Sequence, residues 1–338
     1  MTFLKIYNKA KRKFWSKLVS KTMHSKIYPY IYRSYWHLLF NKSNSNYSTF
    51  KYFTAQPNPG AGIGHQIANW IAGYWYSMQF GLNFAHIPFA HKKWDDILGF
   101  GENEVTTETL IKEQGFKKVL LPLFDESNIG EIERTKKIID SYRGERVVFV
   151  AEQDQPYRDQ FGVMNDIKYK FHHAKSRKED RIIYERDTFN IAIHIRRGDI
   201  EIEKKNNNPN LLMRWQDNNY FINILSKVVE NLKTEKTLAI YLFSQGNPDD
   251  FFEFNKFENI HYCLDMSAQD SFVNMVFADL LITSKSSFSY KPALLSNGIK
   301  ICPKDFWHGY PTNNQWILVK KDGSMTKTEF AKLKMIDF

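Results

Sequence analysis

Phe189-Asn190-Ile191-Ala192-Ile193-His194-Ile195-Arg196-Arg197-Gly198-Asp199 is the stretch on which the reading of this 338-residue chain turns. It begins as an apolar, β-branched run of strand length and ends in two arginines, a glycine and an aspartate. A period of two puts Ile191, Ile193 and Ile195 on one face of a strand and Ala192, His194 and Arg196 on the other. The basic residues therefore arrive at the strand's carboxyl end, where open α/β sheets bind ligands. Guanidinium forks suit pyrophosphate oxygens through paired, charge-assisted hydrogen bonds. The competing reading is an Arg–Asp ion pair closing the strand. Against it, a sheet interior has little reason to hold His and Arg unless something polar meets them.

Other short apolar runs lie at 147–151, 238–243, 280–283 and 299–302, with helical spacing between them, as at 220–232 and 270–277. Strands alternating with helices predict βαβ units and parallel sheets. No internal repeat recurs at a fixed period. The polar, charge-rich stretch 175–187 predicts the boundary between two α/β halves. The expected organisation is an arm and linker at 1–48, a first lobe at 49–185, a second lobe at 186–320 and a tail at 321–338.

Two more segments have the chemistry to hold an anion. Gly60-Ala61-Gly62-Ile63-Gly64-His65-Gln66 is a glycine-rich turn running into helical spacing, and such a turn brings backbone N–H groups and a positive helix end against a ligand. Its spacing is neither that of a P-loop nor the full dinucleotide fingerprint, so a structural turn is the rival reading. The run 278–283 discharges into Ser284-Lys285-Ser286-Ser287-Phe288-Ser289, and ordinary helix capping by a serine is the alternative there. Three such segments in one chain suggest a nucleoside diphosphate. No two aspartates are separated by a single residue, so the Asp-x-Asp metal clamp is absent and arginine is expected to neutralise the leaving diphosphate.

Charge sharpens this picture. The chain holds 47 Lys and Arg against 37 Asp and Glu, a net charge of +10, yet its first fifty residues carry ten basic side chains and no acid. From Lys51 onward the signs balance, so the basicity belongs to one end, and with no basic face interleaved with stacking aromatics in the body a general nucleic-acid binder is disfavoured. Within that end, Phe3, Leu4, Tyr7, Phe14, Trp15 and Leu18 fall at helical intervals beside lysines repeating every four residues from Lys5 to Lys21. This predicts a basic amphipathic helix. Either it packs on the protein's own core, or residues 1–45 lie against an anionic membrane; a presequence would favour Arg over Lys. Two cysteines, Cys263 and Cys302, are too few for a disulfide framework, no run of about 18 uncharged apolar residues exists, and no clean signal segment is visible. A cytoplasmic protein at the inner membrane face is the expectation.

The motifs together resemble a known family. His194-Ile195-Arg196-Arg197-Gly198-Asp199 resembles the His-x-Arg-Arg-Gly-Asp signature of the α-1,2-fucosyltransferases of glycosyltransferase family 11 and of the wider α-1,2/α-1,6/protein O-fucosyltransferase superfamily. Gly62-Ile63-Gly64-His65-Gln66 resembles its Gly-x-Gly-Asn-Gln loop, with His65 in place of Asn. Glu152 to Tyr157 stands where the family has Gln-Ser-Glu-x-Tyr, and Tyr241 to Gln245 resembles its Phe-Ser-Asp strand end, with Gln245 in place of Asp. Ser286-Ser287-Phe288-Ser289 and Lys304-Asp305-Phe306-Trp307 complete the likeness, which spans about residues 53–310.

The resemblance implies a GT-B fold, α/β with two Rossmann-like lobes and a cleft between them, and inverting transfer from GDP-fucose without an essential metal or other cofactor. By position, Arg196 would hold the departing diphosphate, Arg197 would orient that site, and His194, Gly62, Gly64, His65, Gln66, Ser286, Ser287, Phe288 and Ser289 would contact the donor. Asp199, then Glu201, are the candidates for a base, since both follow the strand that delivers the arginines. Asp265 is the candidate for guanine recognition. The acceptor would be a glycan, lipid-linked if the basic arm lies on a membrane, in surface polysaccharide or lipopolysaccharide synthesis. The same fold with another nucleotide sugar, or a catalytically silent glycan-binding or assembly protein, are the alternatives.

Overall fold

The computed structural model describes residues 3–41, 50–152, 154–198, 212–264 and 266–334. Asp199, Glu201 and Asp265 lie outside them. The chain falls into two compact units, each discontinuous in sequence. The first comprises Met1–Asn58, Ala68–Ala90 and Asn103–Tyr157, and the second Pro59–Ile67, His91–Glu102 and Arg158–Phe338. Both are α/β, and each is built on a parallel sheet, as the alternating pattern predicted.

In the first unit, β1 (Lys51–Ala55), β2 (Asn83–Phe84), β3 (Lys117–Leu121) and β4 (Val147–Ala151) lie in the order β2-β1-β4-β3. All three pairings are parallel. β4 is central and wholly buried, which is why it reads as a continuous apolar run. Helix Phe3–Thr22 and helix Arg33–Phe40 belong to this unit rather than standing apart as an arm. Val19, Tyr28 and Tyr32 form a buried cluster packed against Trp15, Ile31, Leu120 and Leu123. Two donors converge on one carboxylate of the unit: Trp15 Nε1 donates to Glu152 Oε2 at 2.8 Å and Tyr32 Oη to the same oxygen at 3.1 Å. Residues 15–32 are thus anchored on the core, the first of the two readings the amphipathic pattern allowed. The opposite side stays open, and half of the exposed large apolar side chains of the described residues occur within the first fifty positions, Phe14, Ile27, Trp36 and Phe40 among them.

The second unit carries β5 (Thr188–His194), β6 (Thr237–Phe243), β7 (Ile260–Cys263), β8 (Leu280–Ile282), β9 (Ile299–Pro303) and β10 (Trp316–Val319). They form one sheet in the order β10-β9-β8-β5-β6-β7, parallel throughout. Counted from β5, this is the 3-2-1-4-5-6 order of a dinucleotide-binding sheet, and the order reverses between β5 and β8. The predicted alternation along β5 holds: Phe189, Ile191, Ile193 and Ile195 enter one core cluster with Ile240, Leu242, Leu280 and Ile282.

The extent of this unit differs from the expected 186–320 at both ends. Helix Met164–His172 packs its Phe171 ring toward Phe272 and Phe277 at 6.5 and 6.2 Å, and His172 Nε2 bonds the Leu295 carbonyl at 3.0 Å. The charge-rich stretch that suggested a linker is tied in by Arg177, which pairs with Asp180 at 3.0 Å and stacks over Phe171. At the other end, helix Lys327–Lys334 buries Leu333 in the sheet's own core, so residues 327–334 pack on this unit rather than forming a tail beyond it.

Candidate nucleotide-diphosphate site

The strand-order reversal places the carboxyl ends of β5 and β8 side by side, and the side chains that follow them meet. His194 Nδ1 lies 2.9 Å from Ser284 Oγ. Around them is a cavity of about 580 Å³, within the range of small-molecule sites. Gly62, Gly64, His65, His194, Arg196, Arg197, Ser286, Ser287 and Phe288 all line it. Every one of these belongs to the second unit, because residues 59–67 group with it.

The glycine loop approaches by backbone. A Cβ on Gly64 would stand 2.6 Å from the Ser287 carbonyl carbon and 2.8 Å from the Phe288 nitrogen, so no side chain fits there. Gly62 has open space instead, with nothing within 4 Å of the corresponding point. Gln66 is buried and donates to the Ala61 carbonyl at 2.8 Å, bracing the loop from behind rather than facing the cavity.

Helix Ser287–Leu295 starts at the cavity. Ser286 caps it, its Oγ accepting from the Phe288 N–H at 3.2 Å. Ser289 is fully buried and donates to the Ser284 and Ser286 carbonyls, which makes it a brace of the turn. Ser287 faces the cavity at the first helical position, where exposed amides and the positive end of the helix favour an anion. Phe288 closes the apolar side, with its ring near those of His194, Phe272 and Trp94.

The two arginines of the motif have different surroundings. Arg197 is 4% exposed; its guanidinium donates to the Gln216 carbonyl at 3.0 Å and to Asn218 Oδ1 at 2.7 Å and stacks 4.1 Å over Trp215. That commits its charge to scaffolding. Arg196 lines the cavity and presses on His194 electrostatically. Burial first, and this neighbouring charge second, push the His194 pKa down to about 3, so the imidazole is neutral at any physiological pH. Gly198 follows at φ +57°, and a Cβ there would collide with the Gln245 side chain.

Several lining residues had no motif to announce them. Arg214 brings a third arginine to the cavity, and Gln245, Met266, Ser271 and Trp307 line it too. Gln245 and Trp307 fall in elements matched by resemblance; Arg214 follows a polar Asn-rich stretch with no periodicity. Among the described residues no three His, Cys, Asp or Glu side chains gather as a metal ion would need, and no described helix is long and apolar enough to cross a membrane.

No family model and no curated protein matches the chain. Solved structures similar to it include POFUT1 in complex with GDP, at 11% identity over 75% of this chain and 98% of that one, with a TM-score of 0.48. NodZ α-1,6-fucosyltransferase co-crystallised with GDP matches at 12% identity over 78% and 97%, with a TM-score of 0.44. A mutant of Arabidopsis thaliana FUT1 in complex with GDP matches at 11% over 91% and 80%, also at 0.44. None of these likenesses is close enough to transfer a residue's role.

Proposed function

We propose that the chain is an inverting glycosyltransferase that uses GDP-fucose and delivers fucose to a glycan hydroxyl. The observation that carries the reading is the meeting of Arg196, Arg214, the Ser287 helix start and the Gly64 loop around one cavity at the strand-order reversal. Cationic forks, helix amides and close backbone approach are what a diphosphate requires. The choice of guanosine and of fucose rests on the sequence motifs from His194 to Asp199 and from Ser286 to Ser289.

In the transfer, the acceptor oxygen forms a bond to the sugar's anomeric carbon while the bond from that carbon to the diphosphate oxygen breaks, its electrons leaving with the diphosphate. Arg196 and Arg214 stabilise that developing charge, and no metal is assigned a part. The acceptor's proton goes to a base, for which Asp199 and Glu201 remain the candidates. His194 is assigned another role: its Nδ1 is engaged with Ser284 Oγ at 2.9 Å, and burial lowers the ring's affinity for a proton. Its part is to hold Ser284 and shape the cavity wall.

Titration calorimetry with GDP, UDP and CMP, followed by turnover of the matching nucleotide sugars with and without EDTA, tests the reading. GDP is expected to bind tightest and EDTA to leave turnover intact. Preference for another nucleotide would favour a different donor on the same fold, and binding without turnover the catalytically silent alternative. The basic, aromatic surface of the first unit supports placement on the cytoplasmic face of an anionic membrane, with a lipid-linked surface-polysaccharide or lipopolysaccharide precursor as acceptor.

A further inference from the structure

Behind Ser287 runs a line of polar side chains that the transfer itself does not use. Lys291, 1% exposed, donates from Nζ to Gln160 Oε1. Gln160 Nε2 lies 3.1 Å from His308 Nδ1, and His308 Nε2 lies 3.4 Å from Ser287 Oγ. Gln160 and His308 are equally buried, and the His308 ring is held face to face on Tyr290 at 3.9 Å. All four residues belong to the second unit.

Each link restricts the next. The amine donates to the amide oxygen, so the amide turns its NH₂ group toward His308. That group has only hydrogens to offer, which makes Nδ1 the bare, accepting nitrogen. A neutral imidazole bare at Nδ1 carries its proton on Nε2. Nε2–H then donates to Ser287 Oγ, and the serine's own hydrogen is left to turn toward the cavity that Ser287 lines. We propose that Lys291, Gln160 and His308 are positioning residues that polarise Ser287, fixing its hydroxyl as a hydrogen-bond donor to a phosphate group in the cavity; this deepens the donor-site reading and rests on it. Burial holds both Lys291 and His308 far below their ordinary pKa values. The charged and titratable groups acting on His308 are Lys291, Arg214 and His65, all basic, and all disfavour the imidazolium that would break the chain of donors. A free hydroxyl accepts as readily as it donates, whereas only donation helps against an anion.

Two measurements decide this. Nitrogen-15 NMR of the histidine side chains, with His308 assigned from His308→Phe, should show a neutral ring protonated at Nε2 between pH 6 and 8. An Nδ1–H tautomer or an imidazolium overturns the proposal. A double-mutant cycle on Ser287→Ala and His308→Phe, read as calorimetric affinity for GDP, should show each single variant binding about tenfold more weakly and the pair no worse than Ser287→Ala alone. Additive losses would mean that His308 acts on the fold and not through the serine. Gln160→Leu replaces His308→Phe in the cycle if the latter does not fold. Failure of the native chain to bind GDP counts against the donor reading; the cycle then runs with inorganic pyrophosphate, and the tautomer decides the relay by itself.

Discussion

Arg196 and Arg197 are neighbours in sequence with opposite kinds of surroundings, so their substitutions should separate. Arg196→Ala is expected to lower transfer from GDP-fucose by about 10²–10³ in initial rate, the usual effect of losing one charge stabiliser, with the thermal midpoint little changed. Arg196→Lys should recover only part, because an ammonium cannot grip two oxygens at once. Arg197→Ala should instead reduce stability, by roughly 2–4 kcal/mol in denaturant titrations, since it leaves the Gln216 carbonyl and the Trp215 face without their partner. His194 makes a second residue-scale prediction. Its folded pKa of about 3 lies below the unfolded value near 6.5, so the unfolded chain binds a proton first as the pH falls. Stability unaffected by this group above pH 6.5 should therefore decline below it, by up to about 1.4 kcal/mol per pH unit. Melting curves from pH 7.5 to 5 check this, and His194→Asn should flatten the slope. The arginines and His194 could be read directly from sequence because alternation along one strand assigns faces. Arg214, Gln160, His308 and Lys291 could not, because they converge from separate segments and no local period marks a polar residue that is buried by distant ones.

Among the elements, the glycine loop gives the sharpest contrast. Gly64→Ala forces a methyl group into the Ser287 backbone and should cost about 1–3 kcal/mol, with GDP affinity falling alongside. Gly62→Ala meets nothing and should leave the thermal midpoint unchanged or slightly raised, because it restricts only the unfolded chain. Differential scanning of the two variants side by side is the measurement. Legibility of the strands followed their burial. β4, β5, β6, β8 and β9 were visible as unbroken apolar runs because helices cover such strands on both faces. β3 opens with Lys117 and Lys118 exposed at the sheet edge, and β1 carries Lys51, Tyr52 and Thr54, so neither forms the run that announces a buried strand.

For the whole molecule, the docking of residues 15–40 on the first unit changes how membrane binding has to be tested. Deleting residues 1–45 would uncover Leu120 and Leu123 and strip Glu152 of two donors, so loss of pelleting would report damage as readily as lost lipid contact. Replacing the outward residues Phe14, Ile27, Trp36 and Phe40 by serine leaves that docking in place. The quadruple variant is expected to lose sedimentation with anionic vesicles while keeping GDP affinity, and neutral vesicles should pellet neither form. Unchanged sedimentation would remove the membrane from the proposal. The second unit has a further consequence, in the order of synthesis. Its sheet comes from residues after 187, yet one wall of its cavity is the loop at 59–67, made more than a hundred residues earlier. A fragment beginning at Arg158 would hold all six strands and both signature arginines and still lack the backbone that closes over Ser287. The loop must wait during translation until Ser287 and Trp307 have been made, so the nucleotide site cannot be complete before nine-tenths of the chain exists.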